Sequence, residues 1–333
     1  MHTAAIIDYN VGDGGSAYEV MVSESLANSF DLRRFTLDFR RWGSLKYVAA
    51  PLEFARARHF LTNCPAGSVV VKTLSAALIN PRRQLPSIVI LHHVGSSDNW
   101  LYSRLEPHII AQLRKANAIV VVSKYWESFL LKQGLTNVQT IYNAFKIDEF
   151  EFTVEEIESF KRRYKLVGKP IIYMGNYGSD KGVDETFEVL KDLDVHLIAS
   201  GHTATPRNSI RCCFLERRDY LRLLASSTLA VAMSQAAEGW CRNAHEAMLC
   251  GTPVLGSGQG GLGELLESGE QIICHDFHSL RSCVQHLLAN EHGRVAVGRK
   301  GCQFARQFTE EKFRGEWIDL VNKVRTSSLE SIN

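Results

Sequence analysis

The stretch from Leu229 to Ser257, LAVAMSQAAEGWCRNAHEAMLCGTPVLGS, contains the unit from which the fold can be predicted. Leu229 to Met233 is a short apolar run, typical of a strand buried on both faces of a sheet. A loop follows, and we predict a helix from about Cys241 to Leu249 with Gly251 as its C-terminal cap. Pro253 to Gly256 is predicted to be a second buried strand. This order of strand, helix and strand indicates a parallel, right-handed βαβ unit.

The same alternation of short apolar runs and amphipathic segments occupies most of the chain. In the N-terminal half we predict strands over Ala4–Asp8, Ser68–Lys72, Ser87–Leu91, Ala118–Ser123 and Val138–Tyr142. In the C-terminal half we predict strands over Ile171–Met174, Val195–Ser200, Cys212–Leu215, Leu229–Met233, Pro253–Gly256 and Gln271–Cys274. Predicted helices include Tyr18–Ser29, Tyr125–Gly134, Glu155–Tyr164 and Glu310–Arg325. The predicted fold class is therefore α/β, with two Rossmann-like, doubly wound domains facing each other across a cleft.

The length of 333 residues fits two domains better than one. We predict an N-terminal domain over residues 1–148, a charged linker over 149–168 and a C-terminal domain over 169–310. Residues 311–333 form a last helix that we expect to cross back to the first domain. No internal repeat relates the two halves, so they are expected to share architecture only.

The overall composition excludes several classes of protein. A formal net charge of +2 without a basic stripe argues against a nucleic-acid partner. The eight cysteines include no CxxC spacing, so a zinc site is not expected and the thiols are predicted to be free. The N-terminus lacks the features of a signal peptide and no apolar run reaches about 20 residues. We therefore expect a cytoplasmic protein; Arg82-Arg83 is a loop face that could also meet an acidic membrane surface peripherally.

Two carboxylates in the quoted stretch are candidates for holding a ligand. Glu238 lies in the loop after the strand, and Glu246 follows eight residues later, about two helical turns on. Carboxylates accept hydrogen bonds from sugar and ribose hydroxyls, so a pair of them suits a polyol ligand. Two solvated glutamates at a helix start are the alternative interpretation.

A glycine-rich loop enters a helix shortly afterwards, in Gly258-Gln-Gly-Gly-Leu-Gly-Glu-Leu-Leu-Glu. Exposed backbone N–H groups and the helix dipole at such a place favour a phosphate. Glycine loops more often only turn the chain, so this signal is weak by itself.

Together these features resemble the retaining glycosyltransferases of GT-B fold, family 4, also called glycosyl transferases group 1. The E-x7-E motif of that family is matched by Glu238 and Glu246, and its Gly-Gly-x-x-Glu motif by Gly260, Gly261 and Glu264. Further landmarks follow in the family's order over nearly the whole chain: Gly14-Gly15, His92, Ser123, Asn143 and Lys181.

The resemblance implies a role for each matched residue of the C-terminal half. Glu238 would hold hydroxyls of the transferred sugar, and Glu246 the nucleotide ribose. Gly260, Gly261 and Leu262 would offer N–H groups to the sugar and the distal phosphate, with Glu264 beside them.

Three residues complete the implied machinery. Lys181 would neutralise the diphosphate leaving group, an electrostatic role of the kind that contributes most to catalysis. His92 would face the sugar from the N-terminal domain, and Gly15 would approach the phosphates or the acceptor. His92, Glu238 and Lys181 are thus the catalytic candidates. No metal and no cofactor are implied, because fixed cations and helix N-termini take their place in this family.

The chain departs from the family pattern at one position of the predicted donor site. Asn176 stands where the family usually has an arginine, five residues before Lys181. Arg242, Lys124 or Arg218 could supply the missing cation, and the sequence does not choose between them.

Two further segments leave alternatives open. His93 directly follows His92, and His92 is favoured because it aligns with the strand end. The segment from Glu216 to Tyr220, ERRDY, is a solvated helix start that could neighbour the nucleotide base.

The function implied by the resemblance is transfer of a sugar from a nucleoside diphosphate sugar, with retention at the anomeric carbon. The acceptor can be a glycan, a lipid or a small molecule, because the N-terminal loops match nothing specific. Two alternatives stay open: a nucleotide-sugar-binding protein without transferase activity, which Asn176 favours, and a nucleotide-sugar epimerase of GT-B fold.

Overall fold

The structure is a computed structural model that describes residues 2–9, 14–38, 46–79, 85–94, 100–178, 180–201 and 210–330. The chain divides into two compact units, which we call the first unit (Met1–Ala144 with Glu310–Asn333) and the second unit (Phe145–Thr309). The second unit thus includes residues 149–168. The Arg82-Arg83 pair and most of the loop before Gly14 lie outside the described residues.

The first unit contains a parallel sheet of six strands in the order β2-β1-β3-β4-β5-β6. Its strands are β1 (Thr3–Tyr9), β2 (Asp31–Leu37), β3 (Val69–Thr73), β4 (Ser87–Leu91), β5 (Ala118–Val121) and β6 (Val138–Thr140). Its helices are α1 (Gly14–Ala27), α2 (Lys46–Thr62), α3 (Trp100–Leu113), α4 (Lys124–Lys132) and α12 (Glu310–Glu330). The central strands are almost wholly buried, as their unbroken β-branched runs predict.

The C-terminal helix α12 packs on α1 within the first unit. The ring of Tyr18 lies edge-on to Phe313 and Trp317, with centroid separations of 5.1 and 6.3 Å. Trp317 is fully buried. The apolar stripe of this helix therefore forms part of the core of the first unit.

The second unit contains another parallel sheet of six strands, in the order β12-β11-β10-β7-β8-β9. Its strands are β7 (Ile171–Asn176), β8 (His196–Ser200), β9 (Arg211–Cys213), β10 (Leu229–Ala232), β11 (Val254–Gly256) and β12 (Ile272–Ile273). Its helices are α5 (Val154–Arg163), α6 (Val183–Leu190), α7 (Arg217–Ser226), α8 (Arg242–Leu249), α9 (Gly261–Ser268), α10 (Phe277–Ala289) and α11 (Glu291–Ala305). The predicted class, two doubly wound parallel sheets with flanking helices, is confirmed.

Each sheet has one place where the direction of strand addition reverses, which we call its switch point. In the first sheet it lies between β1 and β3, and in the second between β7 and β10. Loops leaving the carboxyl ends of the two strands diverge there and open a crevice in which ligands of such sheets bind. The two switch points are therefore the first places to look for a site.

Candidate functional site

Two predicted site residues meet at the switch point of the second unit. Lys181 follows β7 and Glu238 follows β10, and the Lys181 Nζ donates a hydrogen bond of 2.6 Å to the Glu238 Oε1. Burial lowers the pKa of Lys181, but the Glu238 carboxylate outweighs that effect and the pKa lies above its usual value. The lysine is therefore held as a cation between β7 and α6, beside the Glu238 carboxylate.

The glycine-rich loop is joined to the Glu238 loop through the backbone. The Glu238 N–H donates to the Gln259 carbonyl at 3.2 Å, and the Gly261 N–H donates to the Glu238 carbonyl at 2.8 Å. Gly260 has a φ of +67°, and a Cβ there would lie 2.5 Å from the Glu238 carbonyl oxygen. Only glycine fits this approach. Of the three N–H groups predicted to meet a ligand, that of Gly261 is already used by Glu238, while Gly260 and Leu262 flank it at the start of α9.

The second carboxylate of the motif lies inside α8 and is almost completely buried. The Glu246 Oε1 accepts a hydrogen bond of 2.7 Å from the Arg217 Nη1, and the Arg242 Nη2 lies 3.7 Å away. A buried carboxylate is tolerated only with such partners, because its desolvation is otherwise too costly. Two arginines thus neutralise one glutamate here.

The two arginines differ in how firmly they are held. The Arg242 side chain is 14% exposed, and its guanidinium lies 4.3 Å from the centroid of the Phe145 ring. The Arg217 side chain is 46% exposed and also reaches Glu149, whose Oε2 lies 3.3 Å from the Arg217 Nη2. Burial lowers the pKa of Arg242, and the Glu246 charge opposes that shift. Arg242 is therefore the fixed partner of Glu246, and Arg217 is the accessible one.

At the position where the resemblance implies an arginine, a neutral hydrogen-bond network is present. The Asn176 Oδ1 accepts hydrogen bonds from the Tyr173 hydroxyl, at 3.2 Å, and from the Ser200 hydroxyl. Burial raises the pKa of Tyr173, so the phenol stays protonated. Asn176 thus brings no charge to the end of β7.

The three candidates for the missing cation have different partners in the structure. Arg242 lies beside Glu246, as described above. Arg218 instead donates to the Glu149 carbonyl at 2.8 Å and pairs with Glu156 at 3.1 Å. Lys124 belongs to the first unit and pairs with Glu127.

Sequence reasoning missed Arg217, the closest cation to Glu246. The sequence predicts that its segment, from Glu216 to Tyr220, is a solvated helix start that could neighbour the nucleotide base, and Glu216 is indeed the N-cap of α7. The available signal was the position of this helix start directly after β9, at the carboxyl edge of a parallel sheet. Helix starts at that edge face the ligand side, so the arginine next to the cap was a candidate.

The predicted residues of the N-terminal half lie in the first unit. His92 follows β4; its ring lies edge-on to Tyr18 with centroids 5.3 Å apart, and its Nε2 is 3.8 Å from the Glu19 Oε1. The His92 Nε2 atom is buried and has no hydrogen-bond partner among the described residues, whereas His93 is exposed. Gly15 lies in the first turn of α1, which follows β1.

Two further residues of this region lie at helix starts. Cys241, the N-cap of α8, has a φ of +62°, and burial raises the pKa of its thiol to about 12. Glu264 lies in the first turn of α9, where a carboxylate is favoured by the helix dipole. Among the described residues, no helix combines the length and the apolar composition needed to span a membrane.

Residues 181–313 match a domain family described as glycosyl transferase-like. An uncharacterized glycosyltransferase of Methanocaldococcus jannaschii is 25% identical over 253 residues, covering 71% of this chain and 68% of that protein. The N-acetyl-alpha-D-glucosaminyl L-malate synthase of Bacillus anthracis is 26% identical over 202 residues, covering 55% of this chain and 51% of the synthase. The chain therefore spans about half the length of that synthase.

Solved structures with the same fold cover nearly the whole chain. Anabaena HepE in complex with UDP-glucose has a TM-score of 0.80 at 15% identity, over 97% of this chain and 100% of HepE. A sucrose-phosphate synthase from Thermosynechococcus elongatus has a TM-score of 0.79 at 16% identity, over 98% and 100% of the two chains. The chain has the GT-B glycosyltransferase fold and is a glycosyltransferase enzyme. The solved structures establish the fold, and the domain match and named relatives support the enzyme class.

Proposed function

We propose that this chain is a retaining, family 4-type glycosyltransferase that moves a sugar from a nucleoside diphosphate sugar to a glycan, lipid or small-molecule acceptor. The observation that carries the proposal is the Lys181–Glu238 pair at the second switch point, joined through the backbone to the start of α9. A cation, a carboxylate and a helix N-terminus are the groups that a sugar diphosphate needs. HepE complexes with UDP-glucose, and with UDP and glucose, add support.

In the proposed reaction the hydrogen bond between Lys181 and Glu238 breaks when the donor binds, and each side chain then contacts the donor. Glu238 accepts hydrogen bonds from hydroxyls of the transferred sugar, and Lys181 turns to the diphosphate. Because Glu238 holds the lysine as a cation, no proton has to be taken up when the donor binds. Charge grows on the leaving diphosphate as the glycosidic bond breaks, and a fixed cation there stabilises the transition state more than the bound donor.

Glu246 is proposed to hold the ribose hydroxyls. The ribose displaces Arg217, the accessible partner, from the Glu246 carboxylate. Arg242 keeps its contact and continues to neutralise the buried charge. The donor thereby replaces one hydrogen bond without leaving an unpaired buried charge, which would be costly.

No metal or cofactor is part of this proposal. Lys181 and the α9 N-terminus, with the Gly260 and Leu262 N–H groups, neutralise the diphosphate instead. The leaving phosphate takes the proton of the acceptor hydroxyl on the face from which the diphosphate departs. His92 is proposed to contact the sugar, and Gly15 the phosphates or the acceptor.

The first test is a thermal-shift panel of UDP-, GDP- and ADP-sugars, because a bound donor raises the melting temperature by mass action. The donor found in this way is then incubated with candidate acceptors, and both nucleoside diphosphate release and acceptor mass gain are measured. Release together with mass gain supports transfer. Binding without release would indicate a binding protein, and a changed sugar without release would indicate an epimerase.

The second test removes the carboxylates of the motif while keeping their shape. We expect Glu238→Gln and Glu246→Gln each to lower transfer by about 100-fold or more, because Glu238 loses a charged acceptor for the hydroxyls of the transferred sugar and Glu246 one for the ribose hydroxyls. Glu267→Gln is the matched control, since Glu267 is an exposed glutamate of α9. Full transfer by both motif variants would contradict the proposed function.

A further inference from the structure

Two buried side chains inside residues 238–246 are hydrogen-bonded to each other. Trp240 lies in the loop two residues after Glu238, and His245 lies in α8 directly before Glu246. The Trp240 Nε1–H donates to the His245 Nδ1 at 2.9 Å, and the two residues are 3 and 0% exposed. We call this hydrogen bond the motif brace, because it connects the loop of one carboxylate to the helix of the other.

The His245 imidazole is held in one orientation. An indole N–H can only donate, so Nδ1 is the acceptor and Nε2 carries the proton, which it donates to the Ala305 carbonyl at 3.1 Å. The Phe145 ring stacks on the imidazole with centroids 4.2 Å apart, and the Phe308 ring lies edge-on at 4.9 Å. Rotating the imidazole would break both hydrogen bonds and both ring contacts. His245 is therefore a fixed point to which the loop can be attached.

The loop between the two carboxylates contains a residue in an unfavourable backbone conformation. Cys241, which directly follows Trp240, has a φ of +62°. This left-handed conformation is unfavourable for a residue other than glycine and persists where the surrounding contacts fix the backbone. Trp240 provides such a contact on one side of Cys241, and Arg242, whose guanidinium lies 4.3 Å from the Phe145 ring centroid, provides one on the other. Without the motif brace, we expect the backbone to relax at Cys241 and Glu238 to move with it.

The motif brace lies between the two carboxylates that the proposed function assigns to the donor. Glu238 precedes it in the loop, and the Glu238 carbonyl accepts a hydrogen bond from the Gly261 N–H at 2.8 Å. Glu246 follows it in α8. In the proposed complex one donor contacts Glu238 through its sugar and Glu246 through its ribose. The distance between these two groups of the donor therefore requires a fixed separation of the two carboxylates.

We propose that Trp240 and His245 are positioning residues for the donor, and that the motif brace sets the separation of the Glu238 and Glu246 carboxylates. Each residue acts through the neighbouring carboxylate, and neither is assigned a contact with the donor. A ligand that binds two groups at once gains affinity when these groups are held in the bound arrangement beforehand. This inference rests on the proposed function, because it concerns the donor of the same reaction.

Two substitutions of His245 separate its two hydrogen bonds. In His245→Asn the amide oxygen takes the place of Nδ1 and can accept from Trp240. In His245→Gln the amide nitrogen takes the place of Nε2 and can donate to the Ala305 carbonyl. Both variants lose the ring and its packing on Phe145, so they differ in which hydrogen bond remains. Trp240→Phe keeps an aromatic ring and removes the N–H donor of the motif brace.

Donor affinity is measured by isothermal titration calorimetry, with the donor found in the panel of UDP-, GDP- and ADP-sugars. The dissociation constant should rise at least about tenfold in His245→Gln and Trp240→Phe, the equivalent of one lost hydrogen bond to a carboxylate, and stay within about threefold of the wild type in His245→Asn. A role in stability alone predicts similar losses in the two His245 variants. Equal dissociation constants of these variants, or tighter binding by His245→Gln, would overturn the inference.

A second measurement separates the spacing of the carboxylates from general damage to the second unit. The free nucleoside diphosphate lacks the sugar that Glu238 is proposed to bind, so its dissociation constant should change by less than about threefold in every variant. Ser227→Ala is the matched control: it removes a buried hydrogen bond of 2.7 Å to the Leu223 carbonyl at the C-terminal end of α7. It should lower the free energy of unfolding and leave both dissociation constants unchanged. Equal weakening of donor and nucleoside diphosphate binding in Trp240→Phe would contradict a role in spacing.

The two proposals can fail separately. A wild-type protein that binds a sugar nucleotide but transfers no sugar would contradict the proposed function, and the dissociation constants would still decide the role of the motif brace. Transfer by the wild type, with unchanged donor affinity in Trp240→Phe and His245→Gln, would overturn only the inference. A wild-type protein that binds no sugar nucleotide of the panel would overturn both.

Discussion

The two switch points of this protein have the same topology but differ in whether their buried polar atoms have hydrogen-bond partners. At the second switch point the charged side chains are paired, as in the Lys181–Glu238 hydrogen bond of 2.6 Å. At the first, Asp8 and Thr73 each have a buried oxygen to which no residue of the described ranges donates or accepts a hydrogen bond. The polar side chains at the switch point are thus paired with each other in the second unit, whereas two in the first unit each have an oxygen atom without a partner.

The difference follows from the cost of burying each kind of group. An unpaired buried charge is so unfavourable that an empty site for a charged ligand must neutralise its own charges. An unpaired hydroxyl or a second carboxylate oxygen costs only about 1–3 kcal/mol, which a folded domain can tolerate. Paired charges therefore suit exchange with a charged ligand, whereas single oxygen atoms without a partner add no unpaired charge to the folded protein.

The largest expected effect comes from removing the cation of the second switch point. Lys181→Met should lower transfer by about 100- to 1,000-fold, because the leaving diphosphate loses its fixed positive charge. The matched control is Lys124→Met, which removes an exposed lysine paired with a glutamate three residues away in the first unit. The measurement is nucleoside diphosphate release at saturating donor. A loss of less than about threefold would show that the pair serves stability and not the reaction.

A second prediction concerns the backbone that holds Glu238. Gly260→Ala should lower the free energy of unfolding by about 3 kcal/mol, because the new Cβ meets the Glu238 backbone and the φ is positive. Gly315→Ala is the control, since nothing lies within 4 Å of a Cβ there and α12 should gain about 0.5–1 kcal/mol. Urea denaturation measures both. Equal stability of the two variants would mean that the glycine loop is not held against Glu238.

A third prediction tests whether buried polar groups near Glu246 are satisfied internally. The His245 Nδ1 accepts from the Trp240 Nε1–H at 2.9 Å, so its Nε2 carries the proton and donates to the Ala305 carbonyl. Burial lowers the pKa of His245 to about 3, from 6.5 in the unfolded chain. The stabilisation is complete above pH 6.5 and is lost as the pH falls toward 3. The loss should reach about 2 kcal/mol at pH 5.

The measurement is the free energy of unfolding at pH 7 and pH 5, from urea denaturation. His245→Asn keeps an acceptor for Trp240 and does not titrate, so it should lose about 2 kcal/mol less than the wild type between these pH values. His278→Asn replaces an exposed histidine of α10 and should behave as the wild type. A wild-type profile parallel to that of His245→Asn would contradict the internal pairing.

Most of the fold could be predicted because the inner strands are unbroken apolar runs such as Val69–Thr73. The strand Asp31–Leu37 was not predicted: it is an edge strand, and Arg33 and Arg34 interrupt its apolar pattern. The helix Lys46–Thr62 was also not predicted as such, since it contains Pro51 and has no marked apolar face. Edges and surface helices are determined by tertiary packing, which short sequence windows do not contain.

Short sequence windows also do not show which distant residues meet at the switch points. Glu238 and Glu246 could be found because they share one local motif. Arg217 lies outside that motif, 29 positions before Glu246, so only its place at the helix start after β9 indicates it. Asp8 and Thr73 were part of, or adjacent to, predicted strands, and only the strand order brings them together at a switch point.

The smallest expected effect separates the two arginines of Glu246. Arg217→Gln should change the free energy of unfolding by less than about 1 kcal/mol, because this side chain is half exposed and Arg242 remains beside the carboxylate. Arg242→Gln should cost more, about 2–3 kcal/mol, since it removes a buried guanidinium stacked on Phe145. Urea denaturation of both variants measures the difference. If Arg217→Gln were the more costly change, Arg217 would be the fixed partner of the buried charge, and a ribose could not displace it without a large loss of binding energy.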